Sequence, residues 1–408
     1  MPFEPESTPR LRPIEAHPFR HGGQRGILIR DGSHISDVQL TVSEPVLLIL
    51  SMLDGRTKLE TVRQRFGEQL GSQLPADTLA GLIDQLDAAH LLEGPSFEAH
   101  YESLLNQYRS SGVRRMRTAA ESDGAGEIRR SFAQILAEAD GDGVAGETRA
   151  SLVGLIAPHL DYPRGRPCYG TAYKTLVRRE APKRVVVLGT NHFGRSAGPV
   201  ATVASFTTPL GTTKGDVAFV EQLEVRCGAL RTFEYDHVNE HSVELQVLWL
   251  QHLYGAEAFK VVPVLCPDPC GPTGTRPMNG QGADLKQLAL ALRELIAADG
   301  ADTLVIAGAD LSHVGAAFGD ERRLDEDFLN HVRRLDGALL EYVAAVEPER
   351  MRQRVSGRQN CTRVCSIGCI YALLTALPDT RARILGYHQA VDEPTQTCVT
   401  CTAAAFQR

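Results

Sequence analysis

Beyond residue 150, continuous apolar runs recur, and each ends in a residue able to hold a metal or move a proton. The run from Val153 reaches Pro158 and His159, and the run from Val185 reaches Asn191 and His192. A third, from Thr303, ends at Asp310 with His313 close behind, and a weaker fourth runs from Val261 to Cys266. Buried parallel strands look like unbroken apolar runs. Ligands of open α/β sheets bind beyond the carboxyl ends of such strands, so these side chains are expected to share one site. Helical patterns fall between the runs, at 169–178, 216–226, 242–253, 285–296 and 321–346. This alternation predicts a mostly parallel central sheet flanked by helices on both faces.

The first hundred residues follow another pattern. Residues 25–35 look like a hairpin with Asp31 and Gly32 at its turn. Ser43 is placed to cap a helix reaching Leu53, and Thr57 to Glu60 fit a capping box for a second. Leu79, Leu82, Ile83 and Leu86 line one face of a third, and Leu91 with Leu92 closes the unit. A hairpin with three helices predicts a small winged-helix domain. Residues 1–100 hold nine Lys and Arg against fourteen Asp and Glu, a net −5, whereas phosphate binding rests on basic side chains. Residues 106–130, rich in Arg, Ser, Ala and Gly, read as a linker in which Arg114, Arg115 and Arg117 form a solvated patch. The expected division is therefore 1–105, a linker at 106–130, and 131–408.

Composition narrows the classes. The 408 residues carry a net charge of −7, which argues against nucleic acid as a partner. The N-terminus shows no apolar signal segment, and the longest apolar stretch, near 46–53, is too short to span a bilayer. A soluble cytoplasmic protein with no membrane partner is expected. Nine cysteines without a secretion signal favour reduced thiols or metal ligation over disulfides. Cys361, Cys365 and Cys369, four apart, would share one buried helix face. Cys398 and Cys401, three apart on a strand, would face opposite sides, which opposes a metal or redox role for that pair.

Several residues offer chemistry. Pro158 ends its strand and holds the backbone extended, and Gly189 permits a tight turn before His192. His241 and Glu244, three apart, would share a helix face. His237, Glu240 and His241 match the HxxEH pattern of zinc peptidases. Asn239 reads as a helix start, which leaves His237 outside that helix. Asp310 and His313 suit acid–base work or the support of a ligand. Cys361 precedes a helix N-terminus, where a thiolate is favoured, and Cys365 lies in the same segment. No phosphate-binding loop, nucleophile elbow or kinase signature occurs.

Five segments in order resemble the Memo family, whose bacterial members are called AmmeMemoRadiSam system protein B. They are Ala157 to His159, Gly189 to His192, Glu240 to Glu244, Asp310 to His313, and the Cys361 segment, spread over about 280 residues. The resemblance implies a class III extradiol dioxygenase-like fold and iron (Fe2+) held by His159, His192 and Cys361, with copper or zinc as alternatives. His241, Glu244, Asp310 and His313 become the candidate catalytic residues. Cys361 stands one residue further from the following Ile-Gly than the family spacing, which makes Cys365 the alternative ligand. The family's early His-Ala-Gly-Ser-Trp-Tyr signature has no counterpart near 117–131, and Leu160-Asp161 replaces the common Ala-Gly. The family name implies a radical SAM protein and an AMMECR-like protein as partners. The N-terminal domain resembles the PqqD-like winged helix, through the turn at 53–57 and the ending at 86–92, which implies a bound peptide or protein. A metal-dependent redox enzyme is the first functional expectation. A non-catalytic adaptor gripping a peptide in the old pocket is the second, and an HxxEH zinc peptidase the third.

Overall fold

In the N-terminal part, short strands and amphipathic helices form where turn residues break the chain. The computed structural model describes residues 4–21, 24–118, 124–139, 152–299 and 302–408. They divide into two units, Met1–Ser110 and Ser111–Arg408. The first holds β1 (Arg10–Leu11), β2 (Ile14–His21), β3 (Gln24–Asp31), β4 (Gln39–Val42), α1 (Glu44–Met52), α2 (Leu59–Leu70), α3 (Ala76–Ala88), β5 (Leu92–Glu93) and α4 (Pro95–Ser111). Strands β2, β3 and β4 form an antiparallel sheet, and β1 pairs with β5. Leu79 and Leu86 are fully buried, as the helical spacing predicts.

Two local expectations change. The hairpin is β2–β3, and Asp31-Gly32 instead opens the connection to β4. The buried Asp31 carboxylate accepts the backbone N–H groups of Ser33, Ile35 and Ser36 and pairs with Arg12, which orders that longer loop. The capping box does not form: α2 begins after Lys58, and Glu60 pairs with Arg63.

The second unit opens with β6 (Val113–Arg115) and α5 (Ala125–Glu138), then β7 (Leu152–Ala157), α6 (Tyr162–Lys174), β8 (Arg184–Thr190), β9 (Val200–Ala201), β10 (Ser205–Thr208) and β11 (Gly211–Thr213). It continues with α7 (Val217–Cys227), α8 (Glu244–Tyr254), β12 (Lys260–Cys266), α9 (Leu285–Asp299), β13 (Thr303–Gly308) and β14 (Asp310–Gly315). Helices α10 (Glu326–Ala344), α11 (Pro348–Ser356) and α12 (Ile367–Ala376) precede the hairpin β15 (Arg381–Asp392) and β16 (Thr397–Gln407). The segment expected as a linker thus contains the end of α4, all of β6 and the start of α5. Its residues 119–123 lie outside the described ones. Arg114, expected in solvent, is buried.

The four apolar runs are β7, β8, β12 and β13, adjacent and parallel in the order β7-β13-β8-β12. Their continuity follows from burial on both faces. Val185 and Val187 pack with α5, α6 and α8, while Val186 and Leu188 pack with α7, α9 and α12. The sheet as a whole is mixed rather than mostly parallel. Antiparallel β9 flanks one side and β16 the other. The tight β15–β16 connection forces its strands antiparallel, and β16 pairs with β14 as well as β7. Among the described residues no helix is long and apolar enough to cross a membrane.

Candidate metal centre

The carboxyl ends of β7, β8 and β13 bring the predicted side chains together. His159 follows β7 by two residues, His192 follows β8 by two, and Asp310, which opens β14, follows β13 by two. His241 arrives from the turn before α8, which crosses the sheet where there are no side chains to block it. A Cβ on Gly189 would meet Ser242 Oγ at 2.5 Å, and one on Gly308 would meet the Ser242 carbonyl at 2.6 Å. Gly189 therefore lies inside β8 and serves close approach, not the expected turn. Among the described residues, His159, His192 and His241 each offer a ring nitrogen, and these lie within 4.8 Å of one another. The His159 ring stands edge-on to His192 at 4.9 Å between centroids, while His192 and His241 stack at 5.2 Å.

Hydrogen bonds fix which nitrogens face inward. His159 Nδ1 lies 2.9 Å from the Gly308 carbonyl. A carbonyl only accepts, so Nδ1 carries the hydrogen and Nε2 keeps a bare lone pair. His192 Nδ1 lies 3.1 Å from both oxygens of Glu240. The buried Glu240 carboxylate also accepts the backbone N–H groups of His192, His241 and Ser242. A carboxylate behind an imidazole is the arrangement that orients metal-ligating histidines. Burial raises the Glu240 carboxyl, but His192 and these N–H groups outweigh it and hold it well below the usual range.

The site is electrostatically divided. Burial, then the charge of His192, pushes His159 down to about 3. Burial, then His159, takes His241 down to about 4. Burial also opposes a charged His192, yet Glu240 and Cys365 outweigh it and raise His192 to about 10. Burial raises Asp310 to about 6, with His313 pulling the other way. Asp310 Oδ1 accepts the His159 backbone N–H at 3.1 Å, and Oδ2 sits 3.6 Å from His159 Nε2.

The two candidate thiols part company here. Cys365 Sγ lies 3.5 Å from His159 Nε2. The adjacent Ser366 Oγ accepts the Asp310 N–H at 3.1 Å and meets Thr190 Oγ1 at 3.1 Å, tying the cysteine turn to two strand ends. Cys361 is exposed and borders a separate crevice with Arg354, Arg358 and Asp336. Gln359, Asn360 and Arg363 have left-handed φ values of 53°, 47° and 53°, and this coiled segment carries Cys361 away from the histidines. The three cysteines do not share a helix face, because α12 begins only at Ile367 and just Cys369 lies in it. Cys266 is core, and Cys398 and Cys401 pack into different clusters as strand spacing requires.

Glu244 does not act with His241. His241 precedes α8, so helical spacing does not apply to the pair, and Glu244 forms a buried ion pair with Arg114. The HxxEH geometry also fails. His237 sits in a separate 3-10 turn with Nε2 on the Val200 carbonyl. Arg363 forms a two-pronged pair with Asp320. Glu240 was the residue the sequence hid. Its place between two histidines was a signal, but the peptidase match gave it the wrong partner.

The histidines and Asp310 form the floor of a cavity of about 510 Å³, walled by Leu160, Tyr162, Leu245, Phe318 and Val399. His313 lines it too, with its ring edge-on to Phe318. The buried His159 with its inward lone pair, two neighbouring imidazoles and a neighbouring thiol suit a soft or borderline transition metal.

Fold and site together define an α/β protein with a strand-end histidine cluster fit to hold a metal. The chain belongs to the Memo family: the profile of the Memo-like proteins matches residues 122–405. A MEMO1 family protein of Aquifex aeolicus is 24% identical over 98% of this chain and 99% of its own. One from Thermus thermophilus is 27% identical over 85% of this chain and 98% of its own. One from Methanopyrus kandleri reaches 40% identity, over 28% of this chain and 40% of its own.

Proposed function

We propose that this Memo-family protein is a cytoplasmic, metal-dependent redox enzyme whose mononuclear site is built from His159, His192 and Cys365. Iron(II) is the favoured ion, with copper or zinc as alternatives for the same donors. The observation that carries this reading is the inward His159 Nε2, 3.5 Å from Cys365 Sγ and next to two more imidazoles. Such an ion would supply electron transfer and polarise a bound substrate. The chain's own groups do the rest. Glu240 orients His192, the Gly308 carbonyl orients His159, and the apolar wall excludes water. Asp310, raised to about 6 by burial against the pull of His313, holds or releases a proton near neutral pH. His241 and His313, both lining the cavity, take or return protons there. The dioxygenase-like character of the fold, and a system that includes a radical SAM protein and an AMMECR-like protein, belong to the same reading. So does a PqqD-like, peptide- or protein-binding role for the N-terminal unit.

Anaerobic purification and metal analysis test it. His159→Ala and His192→Ala should lose the metal, while His237→Ala should keep it. Loss on His237→Ala with retention on His159→Ala would restore the peptidase reading.

A further inference from the structure

We infer that Arg114 is a positioning residue of the proposed metal site, acting through the turn that carries Glu240 and His241. The inference rests on the metal-binding reading above. Arg114 sits in β6, only 2% exposed, ahead of the whole central sheet in sequence. Its Nε donates to the His237 carbonyl at 3.0 Å and its Nη2 to the Glu240 carbonyl at 2.6 Å. The same guanidinium pairs with Glu244, whose carboxylate accepts the N–H groups of Arg117 at 3.1 Å and Thr118 at 3.0 Å. Thr118 lines the cavity.

One planar cation therefore grips both ends of the 237–240 turn. The side chain of the last residue in that turn orients His192 and receives the His241 N–H. Only a guanidinium presents several donors in a fixed fork. A buried ion pair with a purely structural task is replaceable by apolar groups of similar volume at little cost. The carbonyl contacts give this one a second task, which is to hold the carboxylate behind His192.

The test is cobalt(II) titration of the metal-free full-length protein, read by visible absorption alongside thermal unfolding. Arg114→Met alone would strand a buried Glu244 charge, so it is combined with Glu244→Met. The double variant should still unfold cooperatively, at a lower temperature because the His237 and Glu240 carbonyls lose their donor, bind cobalt about 10–100-fold more weakly, and show a shifted cobalt spectrum. Arg114→Lys keeps the charge, and with it the fold, and should fall between the two in affinity. The part-buried pair Arg184–Asp216, at the opposite end of β8, supplies the control: Arg184→Met with Asp216→Met should leave affinity and spectrum unchanged. Wild-type affinity and spectrum in both Arg114 variants would overturn the inference while the metal site stands. A wild type that binds no cobalt would overturn both.

Discussion

At the scale of residues, the site depends on a few buried polar groups whose partners decide their chemistry. Glu240 is the sharpest case, since His192 Nδ1 and three backbone N–H groups converge on it. Glu240→Gln should leave the fold intact and weaken metal binding by about 10–100-fold. A metal titration showing unchanged affinity would remove Glu240 from the account. The pH dependence follows from His192. Its metal-free value is raised to about 10, so the ring is protonated at neutral pH. A metal must displace that proton and the proton that burial holds on the Cys365 thiol, so affinity should rise by about a hundredfold per pH unit between roughly pH 6 and 8. Calorimetric titration at several pH values checks this, and a slope of only about tenfold per unit would mean that either His192 or Cys365 is not a ligand.

At the scale of elements, the parallel strands were legible and their accessories were not. Unbroken apolar runs announce burial on both faces, so β7, β8, β12 and β13 could be read directly, and with them the strand-end histidines. The antiparallel flank was hidden because β16 is as apolar as the central strands, and only its pairing with β15 and β14 sets its direction. Cys361 and Cys365 could not be separated by spacing, because three left-handed residues coil the segment between Gln359 and Arg363. Glu244 was misread because the i, i+3 rule applies only inside a helix, and α8 starts after His241. Close approach of the 241–243 turn to the sheet is the element-level requirement of the site. Gly189→Val would drive side-chain carbon into Ser242 and Val243. Overpacking of this kind costs about 1–3 kcal/mol. Urea unfolding should register that loss together with weaker metal binding, whereas wild-type stability would show that the turn is free to move away.

At the scale of the whole molecule, the boundary between units matters for the site. Composition alone placed the second domain at 131, because Arg- and Gly-rich segments usually run through solvent. The structure draws the boundary after Ser110, since Arg114 has buried acceptors waiting for it. A chain trimmed to 111–408 should retain metal binding, while one trimmed to 131–408 should lose most of it; equal binding by both would mean that β6 contributes nothing. The central claim is that His159, His192 and Cys365 hold one metal ion. The most direct measurement is metal content of anaerobically purified wild type, His159→Ala, Cys365→Ser and Cys361→Ser by mass spectrometry. The account predicts about one iron or copper per chain in wild type and Cys361→Ser, and little in the other two. Full occupancy in Cys365→Ser with loss in Cys361→Ser, or full occupancy in His159→Ala, would contradict it.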